Sequence, residues 1–154
     1  MCLRWLCKRN GIYPLTQDEY PDVCQIFEKT FDVKQFPMTE FKKIWDNRDE
    51  ETCGYFISNK LVGFSIVGEK KKAKYLHFLA VLPDNQGNGI GTLMLRYILK
   101  KVFSIYLWPM NERLKPWYEK QGFYHSHSGY YVFNNYPTRL KRNGRVSYFE
   151  GRSR

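Results

Sequence analysis

Leu79-Ala80-Val81-Leu82-Pro83-Asp84-Asn85-Gln86-Gly87-Asn88-Gly89-Ile90-Gly91 carries an apolar strand into a glycine-rich turn. Thr92-Leu93-Met94-Leu95-Arg96-Tyr97-Ile98-Leu99 follows at once, with its apolar residues at helical spacing. Glycines in such a turn let the backbone approach a bulky anion. The helix that starts behind them offers unpaired N–H groups and the positive end of its dipole. The turn therefore reads as a pyrophosphate cradle. It is not a P-loop, because Gly91 runs directly into Thr92 with no lysine between them. It is not a dinucleotide fingerprint either, because Gly87, Gly89 and Gly91 give Gly-x-Gly-x-Gly. On shape alone, the plain alternative is a tight strand-to-helix turn.

The elements outward from this turn can be read from periodicity and caps. Ile12 to Leu15 has the pattern of a short edge strand. Thr16-Gln17-Asp18-Glu19 is a capping box that opens a helix through Val23, Ile26, Phe27 and Phe31, with Pro21 in its first turns. A loop from Asp32 to Pro37 leads to a second helix, Met38 to Asp46. Strands follow at Cys53 to Ser58 and Lys60 to Gly68, joined by a tight turn at Asn59-Lys60. Lys70 to Lys74 then connects to the strand Tyr75 to Leu82, apolar on both faces as a central strand should be. Beyond the glycine turn the pattern predicts a helix over Ile90 to Val102, a strand over Ser104 to Trp108 and a helix over Asn111 to Gln121 that stops at Gly122. A hairpin of Phe123 to His127 with Tyr130 to Asn134 closes the domain. The expected fold is α+β, a mixed central sheet of about seven strands flanked by about four helices.

The 154 residues suffice for one domain with a single well-buried core, here residues 1–136. Residues 137–154 form a basic tail, in which Arg139, Lys141, Arg142, Arg145, Arg152 and Arg154 stand against Glu150 alone. That tail carries +5 of a net charge of +10. Such a surface attracts a polyanion such as nucleic acid, or it is simply a solvated tail. No apolar run is long enough to span a bilayer, and the start of the chain is too short and charged for a secretory signal. Cys2, Cys7, Cys24 and Cys53 lack metal-site spacing, so a soluble protein of a reducing, cytoplasmic compartment is expected. His125 and His127 share a strand face without a third ligand, and no metal is expected.

Leu79-Ala80-Val81-x-Pro83 followed by Gln86-x-x-Gly89-x-Gly91 resembles the acyl-CoA motif of the GNAT superfamily of acetyl-CoA-dependent N-acetyltransferases. Asn111-Glu112-Arg113-Leu114-Lys115-Pro116-Trp117-Tyr118-Glu119-Lys120-Gln121-Gly122-Phe123 resembles that family's Asn…Tyr-Glu-Lys-x-Gly-Phe segment. The likeness runs from Ile12 to about Asn134. Within the superfamily, Tyr75-Leu76-His77-Phe78-Leu79-Ala80-Val81 and Pro116-Trp117-Tyr118 are similar to the arylalkylamine (serotonin) N-acetyltransferases, with Tyr75 where that family has a first histidine.

The resemblance implies that acetyl-CoA is the co-substrate and that its pantetheine arm pairs with the backbone of Leu79, Ala80 and Val81. It implies further that the pyrophosphate lies on Gln86, Gly87, Asn88, Gly89, Ile90 and Gly91, with Asn111 touching the arm. An amine acceptor arrives as an ammonium with a pKa near 10.4 and must lose a proton, while the leaving thiolate must gain one. His77 suits the first task and Tyr118 the second, although each could instead be a core residue. By strand alternation His77 should share the face of Leu79 and Val81. The acceptor is expected to be a small primary amine, walled by Phe31, Phe36, Pro37 and Met38 if aryl or alkyl. If it is a polyamine, Asp18, Glu19, Asp22, Glu28 and Asp32 are candidate partners. The competing classes are a protein lysine or N-terminal acetyltransferase, and a binding module that acts on a polyanion through its basic surface.

Overall fold

A computed structural model describes residues 8–135; the basic tail, Cys2 and Cys7 lie outside the described residues. Strand β1 (Gly11–Pro14) is followed by α1 (Tyr20–Thr30), α2 (Met38–Asp46), β2 (Cys53–Ile57), β3 (Lys60–Lys70) and β4 (Ala73–Val81). Then come α3 (Ile90–Lys101), β5 (Ser104–Leu107), α4 (Lys115–Lys120), β6 (Tyr124–His125) and β7 (Tyr131–Asn134). The seven strands form one sheet in the order β1-β2-β3-β4-β5-β7-β6, antiparallel except for β4 beside β5. The expected α+β architecture is the observed one.

Local chemistry accounts for the entries and exits of these elements. The capping box is present: Glu19 accepts from the Thr16 N–H at 2.7 Å and from the Thr16 hydroxyl at 2.8 Å, while Arg9 donates to its other oxygen at 3.2 Å. It caps a single 3₁₀ turn, Gln17–Glu19, and α1 proper starts one residue before Pro21, where a missing N–H does no harm. The β2–β3 turn is Ser58-Asn59 rather than Asn59-Lys60, because both of those residues take positive φ, +47° and +72°. The connection expected at Lys70 to Lys74 shrinks in the same way to the two-residue turn Lys71-Lys72 (φ +54° and +67°), so β3 and β4 extend almost to each other. The last helix is shorter than its pattern. Asn111 caps a 3₁₀ turn over Glu112–Leu114 before α4 begins.

Two cores sandwich the sheet. On the α1–α2 face, Phe27 and Phe41 stack with ring centroids 4.0 Å apart and meet Phe64 and Phe78 edge-on. On the α3 face, Met94, Leu95 and Ile98 are fully buried against Val62, Val67, Leu76, Ile105 and Leu107. Strand β4 supplies both faces, as expected of a central strand.

Its alternation is broken once. Ile66 pairs with Phe78 and Val67 with Leu76, which leaves His77 as an extra residue in a β-bulge. Leu76 therefore points to the α3 core, Phe78 and Ala80 to the α1–α2 core, and Leu79 and Val81 again to the α3 side.

Candidate active site

Strands β4 and β5 share a single bridged pair, Tyr75 with Tyr106. Beyond it the strands diverge, and the edge of β4 from Phe78 to Val81 has no neighbouring strand on that side among the described residues. The gap opens into a cleft of about 620 Å³. Its floor is Leu79, Ala80 and Val81. One wall is Asn85, Gln86, Gly87 and Gly89 to Thr92, and the other is Met110, Asn111, Leu114, Trp117 and Tyr118 from the α4 region, with Thr30 and Phe31 closing it from the end of α1. Ten of the twelve residues given catalytic or cofactor-binding roles from the sequence meet here. Asn88 and His77 are not among the lining residues.

The turn is shaped by backbone conformation. Gly87 and Gly89 take φ of +85° and +79°, where a side chain is strained although a Cβ would meet nothing within 4 Å. Gln86 swings its amide back to donate to the Val81 carbonyl at 2.9 Å, pinning the turn to the end of β4. Helix α3 starts from Gly89, whose carbonyl accepts the first helical bond, from the Leu93 N–H at 3.0 Å. The amides ahead of Leu93 thus have no intrahelical partner, as at any helix start, and the residues that carry them, Ile90 to Thr92, line the cleft. No acidic residue occupies the first turn of α3, and Lys100 and Lys101 sit in its last, so the dipole end at the cleft is left for an anion. These features fit a diphosphate, and the free β4 edge fits an amide-bearing arm. Asn88 donates to the Asn85 carbonyl within the turn, and Asn111 spends its oxygen on the Arg113 N–H as a cap.

Tyr118 reaches the cleft from α4. Its ring is wedged between Trp117 and Phe123, with centroids 4.9 and 5.5 Å away, and only 7% of the residue is exposed. Trp117 in turn donates to the Thr92 hydroxyl at 3.3 Å, which ties α4 to the start of α3. Burial, helped by the nearby Tyr75 hydroxyl, pushes the Tyr118 phenol well above its ordinary value, so it stays a proton donor at any physiological pH.

His77 corrects the alternation argument. The bulge turns its ring away from the Leu79–Val81 face and onto the α2 side, where it lines a second cavity of about 450 Å³ with Glu40, Lys43, Ile44, Asn47, Asp49 and Glu69. The ring fits there because β3 offers Gly68, at which a Cβ would lie 3.1 Å from the imidazole Nε2. Burial, with Lys70 nearby, holds the imidazole below its usual pKa against the opposing pull of Asp49 and a backbone bond to Glu69. His77 is therefore neutral at pH 7 and able to accept a proton. Sequence alternation could not see the bulge, though Gly68 inside an apolar strand is the residue that permits it.

Of the apolar wall expected for an acceptor, Phe31 lines the cleft, while Phe36 is spent edge-on against Phe27 and Phe78. Glu19 is held by Thr16 and Arg9, and Asp32 caps the Lys34 N–H at 2.9 Å, so local structure accounts for both carboxylates. Among the described residues no group of three or more His, Cys, Asp or Glu side chains could hold a metal ion, and no helix is long and apolar enough to cross a membrane.

Solved structures share this architecture. The ribosomal-protein-S18-alanine N-acetyltransferase of Escherichia coli matches with a TM-score of 0.65 and 21% identity, over 82% of this chain and 94% of that one. The N-acetylglutamate synthase of Neisseria gonorrhoeae, in complex with coenzyme A and L-arginine, gives 0.64 and 14% over 84% of this chain and 34% of that one. A GNAT family acetyltransferase of Brucella melitensis, in complex with acetyl-CoA, gives 0.61 and 15% over 82% and 88%. At these identities the likeness is one of fold. No curated protein matches the sequence. The family model for the acetyltransferase (GNAT) family matches residues 10–123, which is most of the chain and includes both the glycine turn and the Tyr118 helix. The chain belongs to the acetyltransferase (GNAT) family and is an acetyl-CoA-dependent acetyltransferase.

Proposed function

We propose that this enzyme acetylates a primary amine of a small molecule by direct attack on the thioester, with both substrates bound at once. The observation that supports this reading is the meeting, in one cleft, of an open helix start, an unpaired strand edge and a buried phenol that keeps its proton. Bound acetyl-CoA supplies the acyl thioester. The amides of the Gln86 to Gly91 turn hold the pyrophosphate, and the backbone of Leu79 to Val81 aligns the pantetheine arm. The same strand edge stabilises the developing oxyanion through backbone N–H donors. Tyr118 gives its proton to the departing thiolate. His77, neutral on the α2 side of the β4 bulge, takes the proton that the incoming ammonium must lose, through an ordered water. Asn111 borders the arm.

Phe31, which lines the cleft, favours an aryl or alkyl amine over a carboxylate-bearing one, in keeping with the likeness of the β4 strand and the Pro116-Trp117-Tyr118 helix to arylalkylamine N-acetyltransferases. A protein amine is the competing acceptor, and the E. coli neighbour's name specifies a ribosomal-protein alanine. Thiol release from acetyl-CoA over a panel of arylalkylamines, polyamines and short peptides separates the two. Release with arylalkylamines supports the proposal; release with peptides alone overturns it.

A further inference from the structure

A group of aromatic residues that no periodicity links surrounds the point where β4 and β5 part. Tyr75 of β4 and Tyr106 of β5 form the bridged pair itself, with ring centroids 4.7 Å apart. Tyr130, from the β6–β7 connection, lies edge-on to both at 6.4 and 5.1 Å, and the half-exposed Trp108 lies 5.1 Å beyond Tyr130.

Inside this box sits a cation. The Lys70 ammonium is 4.6 Å from the Tyr75 ring centre and 5.8 Å from that of Tyr130, while the Tyr106 hydroxyl donates to the Lys70 carbonyl at 2.8 Å and anchors its backbone. The neighbouring Lys74 takes two carboxylates, Asp49 at 2.8 Å and Glu51 at 2.7 Å. Lys70 has no carboxylate within ion-pair distance among the described residues. Its partners are aromatic faces, which attract an ammonium through their quadrupole and reject an anion.

The position of the box matters as much as its chemistry. Tyr75 faces the His77 ring at 4.9 Å and lies close enough to Tyr118 to raise that phenol further. Lys70 is in turn one of the charges that hold His77 neutral. Tyr75 thus lies beside both the Lys70 ammonium and the His77 ring, and near the Tyr118 phenol.

We propose that the Tyr75–Tyr130 box is the ammonium subsite of the acceptor, and that Lys70 occupies it until a primary alkyl- or arylalkylammonium takes its place. The proposal rests on the amine-acetylation reading above. It adds that the acceptor is recognised as a cation by aromatic faces, so that amines without an adjacent carboxylate are preferred.

The test measures binding of phenethylammonium and of its neutral analogue 2-phenylethanol by calorimetry, with acetyl-CoA absent so that no turnover intervenes. Lys70→Met keeps the side-chain length and removes the resident charge. It should tighten phenethylammonium binding by about two- to thirtyfold, the range of one cation–π contact, and leave 2-phenylethanol unchanged. Tyr130→Leu added to Lys70→Met should abolish the gain. Lys71→Met, which removes an equal charge from the exposed turn next door, should produce none. An equal gain from Lys71→Met, an equal gain for the neutral analogue, or a gain that survives Tyr130→Leu would overturn the proposal. Failure of amine acetylation itself is seen separately, as absent thiol release in a protein that still shows the Lys70-dependent binding.

Discussion

Tyr118→Phe removes one oxygen from the centre of the cleft and leaves the rest of the side chain in place. The ring stays wedged between Trp117 and Phe123, so the packing of a residue only 7% exposed is kept. Tyr118 lines the cleft, and its hydroxyl makes no hydrogen bond to another side chain among the described residues. Its loss should therefore change stability by less than about 1 kcal/mol. Catalysis should respond quite differently. A general acid is worth about 10²–10⁴ in rate, or roughly 3–5 kcal/mol of barrier, and kcat should fall by that factor with little change in acetyl-CoA affinity. Because burial lifts this phenol above its ordinary value of about 10, the parent enzyme should show no alkaline loss from this group below roughly that pH. Thiol release at saturating acetyl-CoA gives kcat, calorimetry gives the affinity, and a melting curve checks the fold. A folded Tyr118→Phe enzyme whose kcat stays within about twofold of the parent would reduce Tyr118 to a packing residue.

Gly89→Asp places a carboxylate at the start of α3, where it suits the helix dipole but repels a pyrophosphate. Acetyl-CoA affinity measured by calorimetry should fall by at least about tenfold with the fold retained, and parental affinity would mean the cradle lies elsewhere. His77 has a pKa depressed by burial, so its neutral form prevails in the fold and is lost as pH falls through that lowered value. The acid limb of kcat should accordingly lie below the ordinary imidazole value of about 6.5, and His77→Gln should flatten it and slow turnover; an unchanged pH profile would remove His77 from the proton path. Phe41→Ala empties the centre of the stacked aromatic core, where the ring is fully buried, and should cost about 3–5 kcal/mol in denaturant unfolding.

How much of this was legible in the sequence depends on whether the information was local. Gly87 and Gly89 announce positive φ by being glycine, Thr16 and Glu19 announce a cap by their spacing, and β4 announces its two buried faces by its apolar run. Each of these features is present in the fold. The bulge at His77 is a property of pairing with β3, settled where Ile66 and Val67 meet Phe78 and Leu76 and made roomy by Gly68. No pattern along β4 alone encodes it, so alternation put the imidazole on the wrong face. The two-residue turns were misplaced by one or more residues because Ser58, Lys71 and Lys72 adopt the left-handed conformation without glycine's signature. The box around Lys70 draws on β3, β4, β5 and the last hairpin, and only the sheet order brings those residues together.

The central claim is transfer of the acetyl group from acetyl-CoA to a small primary amine. The direct measurement follows thiol release with phenethylamine as acceptor while N-acetylated product is quantified by mass spectrometry in the same samples. Thiol release should depend on the amine and equal the acetamide formed, mole for mole. Thiol release that ignores the amine, or acetylation confined to peptide acceptors, would contradict it.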